Sequence, residues 1–145
     1  MFFTIFLAAA ITVVHGRQAD VTTSALVHSP KQVTLTLEVE LKPGVHVYAP
    51  GVEDTYIPIA WTLAESPRYK AGDARMPPSR KLYLEAIDET VPVYEGRFRL
   101  TRDVDLNAPG AVEIEGTFRY QACDDQMCYK PEKLTLHWSL DTAHQ

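Results

Sequence analysis

Hydrophobic residues occupy every second position through Val33-Thr34-Leu35-Thr36-Leu37-Glu38-Val39-Glu40-Leu41, with threonine or glutamate between them. A period of two sends one set of side chains to a core and the other to water. The segment therefore predicts a half-buried antiparallel strand. Lys42-Pro43-Gly44 interrupts the pattern as a turn, and Val45, Val47 and Ala49 resume it. Ile59-Ala60-Trp61-Thr62-Leu63 predicts a third strand. The run from Val91 to Leu100 adds strand signal, with Pro92 favouring a sheet edge or a strand start because it has no N–H to give a ladder. Val112, Ile114, Phe118 and Tyr120 alternate again, as does Leu134-Thr135-Leu136-His137-Trp138-Ser139-Leu140. No segment has the periodicity of an amphipathic helix. Short strands separated by turns predict an all-β fold, an antiparallel β-sandwich.

The N-terminus departs from this pattern. Met1 to Val14 is apolar apart from two threonines, and charge begins only at Arg17. The run is shorter than the ~20 residues of a membrane-spanning helix. It fits a secretory signal over residues 1–16, with Val14 and Gly16 as small residues before a cut near Arg17, although no Lys or Arg precedes it. The competing reading is an N-terminal segment buried in the folded protein. With a signal, residues 17–145 form one exported, periplasmic domain under oxidising conditions, with no membrane span after signal removal. Ten prolines and seven glycines are scattered as punctuation, with no linker or repeat. The net charge of −5 argues against a nucleic-acid partner.

The chemistry concentrates in Tyr120-Gln121-Ala122-Cys123-Asp124-Asp125-Gln126-Met127-Cys128-Tyr129, which holds the chain's two cysteines between its last two predicted strands. A bridge between them would close a loop of about six residues, for which chain entropy gives only ~2 kcal/mol of stabilisation. Such a bridge suits opening and closing better than stapling a fold. A thiol exchanges as the thiolate. Asp124 and Asp125 disfavour that form at Cys123, whereas Lys130 favours it at Cys128. Charge alone thus makes Cys128 the nucleophile and Cys123 the resolving thiol. The alternative is a structural bridge in a non-catalytic exported binding module. Tyr48, Tyr120 and Tyr129 offer either core packing or an aromatic wall that shields the sulfurs and receives a partner. Cys123, Cys128, Met127 and the histidines could suggest copper, but His28, His46, His137 and His144 show no paired spacing. Neither a metal nor a cofactor is predicted.

The stretch Tyr120-Gln121-Ala122-Cys123…Cys128-Tyr129-Lys130-Pro131-Glu132 resembles the N-terminal periplasmic domain of DsbD-type thiol–disulfide interchange proteins. Lys42-Pro43-Gly44-Val45-His46-Val47-Tyr48 resembles that family's turn and strand ahead of an active-site tyrosine, and Val93-Tyr94-Glu95-Gly96-Arg97-Phe98 a later strand. The resemblance implies an immunoglobulin-like sandwich that relays electrons from a thioredoxin-like protein, or a membrane electron carrier, to exported disulfide-containing proteins. It assigns the mixed disulfides to Cys128. It also implies a cap loop bearing an aromatic residue over the bridge, which falls at about Leu84 to Thr90. No aromatic lies in the middle of that stretch, so Ile87 or Leu84 would have to take its place, with Tyr83 just outside.

Overall fold

A computed structural model describes residues 11–52 and 55–143. The first ten residues of the expected leader, and His144, lie outside the described residues. The strands are β1 (Thr12–His15), β2 (Ala19–Ser29), β3 (Gln32–Leu41), β4 (His46–Tyr48), β5 (Ala60–Leu63) and β6 (Tyr69–Ala71). They continue as β7 (Arg80–Leu84), β8 (Glu89–Glu95), β9 (Arg97–Leu106), β10 (Ala111–Tyr120), β11 (Ala122–Cys123) and β12 (Glu132–Asp141). All pair antiparallel, in the orders β1-β2-β3-β9-β6, β12-β10-β5 and β11-β4-β8-β7. An isolated bridge between Tyr48 and Pro58 ties the second and third sheets together. The architecture is the expected immunoglobulin-like β-sandwich.

The predicted alternation decides the core. Val33, Leu35, Leu37, Val39 and Leu41 of β3 are buried in one core with the even-numbered apolar residues of β10 and β12. Each fully buried side chain of this size contributes about 1.5–3 kcal/mol. Trp138 stacks on Trp61 with ring centroids 5.8 Å apart, and its indole N–H donates to the Ser24 carbonyl at 3.0 Å. That bond anchors β12 to β2 across the sandwich.

Three elements differ from the sequence expectation. The alternation of β2 is hidden because its inward residues are Ala19, Val21, Thr23 and Ala25, which are small or polar. The run from Val91 to Leu100 is two strands in different sheets, β8 and β9, and the chain crosses between them at Gly96 with φ +65°. Pro92 lies within β8, which has a neighbour on each side. Its carbonyl accepts from the Ala49 N–H at 3.0 Å, just beyond the end of β4. A residue's N and C=O point to the same side of a strand, so the missing N–H falls past β4 and spares the β7 ladder.

The fold also takes in Thr12–His15, which pairs with β2 as an edge strand. Just after it, the Arg17 backbone N–H and guanidinium both donate to Glu132 at 2.8 Å, and the Tyr120 hydroxyl donates to the same carboxylate at 2.5 Å. Thr12–His15 and Arg17 are thus tied to the sandwich on either side of the expected cut. Among the described residues, no helix is long and apolar enough to cross a membrane.

One glycine is required by close approach. A Cβ on Gly116 of β10 would lie 2.5 Å from the Thr62 carbonyl oxygen on β5 and 2.8 Å from Leu63. Backbone cannot give way as a side-chain tip can, so Gly116→Ala should cost about 1–3 kcal/mol by overpacking. Urea unfolding of the variant checks this, and an unchanged midpoint would show that β5 shifts freely.

Candidate functional site

The sheet β11-β4-β8-β7 uses both of its faces. Val45, Val47, Ala49, Tyr94 and Ala122 point into the main core. Their neighbours Tyr48, Val91, Val93 and Cys123 form a second, smaller cluster on the other side. Val52, Tyr56, Leu82 and Leu84 pack around its edge. This second face carries the cysteine chemistry.

Cys123 and Cys128 form a disulfide, with Cα atoms 3.9 Å apart. The two ends of the bridge are unlike. Cys123 is 2% exposed, pinned opposite His46 on β4, whereas Cys128 is exposed on the return arm of the hairpin. The hairpin is closed by backbone bonds that do not involve sulfur. The Asp124 N–H donates to the Met127 carbonyl and the Tyr129 N–H to the Ala122 carbonyl, each at 2.8 Å. One oxygen of Asp124 accepts the N–H groups of Gln126 and Met127, each at 2.8 Å, and the other accepts the Tyr129 hydroxyl at 2.8 Å. This is the Asx turn that aspartate favours at such positions. The backbone donors of Gln126 and Met127, followed by Tyr129, hold the Asp124 carboxyl below its ordinary range. The turn bonds belong to the ionised carboxylate, so they are present at neutral pH and are lost on acidification through that lowered value.

The expected aromatic residues take different places. Tyr48 is at the bridge: its hydroxyl lies 3.4 Å from Cys123 Sγ and 3.9 Å from Cys128 Sγ. Burial raises the Tyr48 phenol above its usual value, so it stays protonated and can donate to sulfur. Tyr129 braces the loop through Asp124 and is half-buried against the main core. Tyr120 is 1% exposed, stacked on Phe118 and hydrogen-bonded to Glu132. It is a core residue and offers no docking surface, because strand alternation at the end of β10 turns it inward.

The predicted cap is the β7–β8 hairpin with a short 3-10 turn over Glu85–Ile87. Leu84 packs against the cysteine cluster, whereas Ile87 stays 52% exposed at the tip and takes no part in it. The aromatic cover comes from elsewhere. Tyr56 lies against Tyr48 with ring centroids 4.8 Å apart, and its hydroxyl is bonded to Glu89 on β8. Neither Tyr56 nor His46 was singled out by the sequence. The available signal was the alternation of Val45, Val47 and Ala49 after the turn, which leaves His46 and Tyr48 on the opposite strand face.

A sandwich with a half-buried, tyrosine-contacted disulfide in a terminal hairpin defines a class of protein built around one local sulfur pair. The description "Thiol:disulfide interchange protein DsbD, N-terminal" matches residues 12–139, and the chain belongs to that family. No curated protein matches it. Among solved structures, the N-terminal periplasmic domain of ScsB from Proteus mirabilis superposes with a TM-score of 0.66 at 16% identity, covering 95% of this chain and 53% of that one. The chain thus spans about half the length of that structure. The Neisseria meningitidis DsbD N-terminal domain in the reduced form gives 0.51 at 13% identity, over 82% of this chain and 85% of that one. The GAE domain of GGA2p from Saccharomyces cerevisiae gives 0.56 at 12% identity, over 92% and 99%. At these identities the superpositions establish the fold.

Tyr48→Phe removes the hydroxyl next to Cys123 while keeping the ring against Tyr56. It should slow bridge opening by dithiothreitol roughly tenfold, about the worth of one hydrogen bond to a charged sulfur. Stopped-flow or quenched alkylation reads that rate.

Proposed function

We propose that this domain is an exported thiol–disulfide exchange module that relays electrons through Cys123 and Cys128. The observation that carries this reading is the asymmetry of the bridge, one sulfur exposed and the other buried under Tyr48. A thiolate of a reduced partner attacks exposed Cys128 Sγ. The partner–Cys128 disulfide forms, and the electron pair of the broken S–S bond leaves on Cys123 Sγ. A second partner thiol then attacks its own sulfur in the mixed disulfide and releases Cys128. Two electrons have moved, and two protons from water complete the dithiol. In the onward step Cys128 attacks a substrate disulfide and Cys123 resolves the adduct.

The supplier suited to this chemistry is a thioredoxin-like protein or a membrane electron carrier, and the acceptors are exported proteins with disulfides. Exposed Tyr83, Ile87 and Met127 give the surface around the site apolar character for a partner to cover. The apolar N-terminal run supports export by a signal to a compartment where a bridge persists. A purely structural bridge is disfavoured because the hairpin is already closed by Asp124 and by main-chain bonds.

Two measurements test the reading. The reduction potential of the pair should fall roughly between −180 and −270 mV, among exchange-active proteins, and a value below about −300 mV would mark a structural bridge. A Cys123→Ser variant, whose free Cys128 can attack but has no neighbour to resolve the adduct, should also trap a mixed disulfide with the disulfide form of a thioredoxin-like partner, detectable by mass after alkylation. Absence of that adduct with every such partner tried would sink the relay.

A further inference from the structure

Strand register sets three side chains in one row across the cysteine-bearing face. Cys123 on β11 is opposite His46 on β4, which in turn is opposite Glu95 on β8. Directly paired residues of adjacent antiparallel strands lie on the same face, with Cβ atoms about 5 Å apart. His46 is thus flanked by a sulfur of the bridge on one side and a carboxylate on the other. It is 5% exposed, and its Nε2 has no hydrogen-bond partner among the described residues. Its ring meets that of Tyr48 edge-on at 5.7 Å, and Tyr48 is the residue that touches both sulfurs.

A buried polar atom left unpaired is costly, and an apolar side chain of the same size would avoid the cost. The arrangement makes sense if the atom acquires a partner in another state of the protein. Opening the bridge supplies one, because the electron pair leaves on buried Cys123, where water cannot solvate the negative charge. Resting on the exchange reading above, we propose that His46 is a positioning residue for that reaction, taking up a proton from water as the Cys123 thiolate forms and holding it beside the sulfur.

The surroundings suit a histidine that changes charge with the bridge. Burial is the main effect on His46 and lowers its pKa, so the ring is neutral while the disulfide is closed. The charged groups facing it are Glu95 on β8, Asp124 and Asp125 in the cysteine turn, and Arg80 on β7. The three carboxylates favour its protonation and Arg80 opposes it, but Arg80 is itself tied to Glu95 at 2.8 Å. A new thiolate in the row adds one more negative neighbour and tips the ring to imidazolium. The proton count is consistent. The attacking thiolate forms one S–S bond as another breaks, and the single proton taken up neutralises the departing sulfur's charge through His46 until Cys123 itself is protonated or reacts.

The test follows bridge opening by dithiothreitol between about pH 5 and 8, the window in which histidine titrates, with each rate divided by the dithiothreitol thiolate concentration. For the unaltered protein this corrected rate should rise about tenfold toward acid, the factor that one pKa unit of coupling supplies. His46→Phe, which keeps an aromatic edge against Tyr48, and His46→Gln should both give a flat profile. A merely structural role would shift rates in the variants but leave the slope. NMR titration of the His46 ring in the unaltered protein needs no variant, and its midpoint should move to higher pH on reduction. Unchanged slopes in both variants, or an unmoved midpoint, would overturn the role of His46 alone. A bridge that dithiothreitol opens at no pH would overturn the exchange reading, and this inference with it.

Discussion

The site depends on one constraint, the strict alternation of side chains across β4 and the two-residue strand β11 that pairs with it. Val47 and Ala122 are opposite one another and enter the main core. Once those two are fixed, their neighbours His46, Tyr48 and Cys123 must project from the other face. A slip of one residue would bury the sulfur in the sandwich and expose alanine in its place. The many core residues that hold β4 in place thus also hold the sulfur chemistry. They lock its register without touching it.

From that constraint follows the inequality of the two sulfurs. Cys123 belongs to a paired strand and inherits its burial. Cys128 belongs to the return arm of a hairpin whose geometry is set by Asp124, and it inherits exposure. The charge argument from sequence reached the same ordering by a different route, through Asp124, Asp125 and Lys130. The structure gives Asp124 another task, because both of its oxygens are engaged by the turn and by Tyr129. Accessibility is therefore the stronger reason to regard Cys128 as the sulfur that meets a partner.

What could be read from the sequence was whatever strand periodicity expresses directly. The strands β3 and β12 have uninterrupted alternation of large apolar residues and β10 breaks it only at Gly116, so they stood out, and the position of the cysteines between the last two long strands followed. β2 escaped because its inward positions hold alanine and threonine. The Val91–Leu100 run looked like one strand because Gly96 changes sheets without changing composition. The cap was the least legible part of the site. The resemblance pointed to Leu84 and Ile87, but the ring against Tyr48 is that of Tyr56, only eight residues further along the chain. Tyr120 was misplaced for the opposite reason: closeness to Cys123 in sequence suggested closeness in space, but Ala122 and Cys123 have already turned onto another sheet.

Little of the fold relies on the bridge, which suits the proposed exchange. Closing a loop of about six residues contributes only ~2 kcal/mol by chain entropy, comparable to burying a single large side chain of the sandwich. Reduction removes that modest term but leaves the main-chain bonds of the hairpin and the three-bond clasp of Glu132 on Arg17 and Tyr120 outside its reach. A bridge joining distant strands would have coupled every electron transfer to the stability of the whole domain. Here the redox change is confined to one hairpin and the row of side chains facing it. In that row the Nε2 of His46 lacks a hydrogen-bond partner among the described residues, and this is the reason the proposed proton uptake is assigned to it.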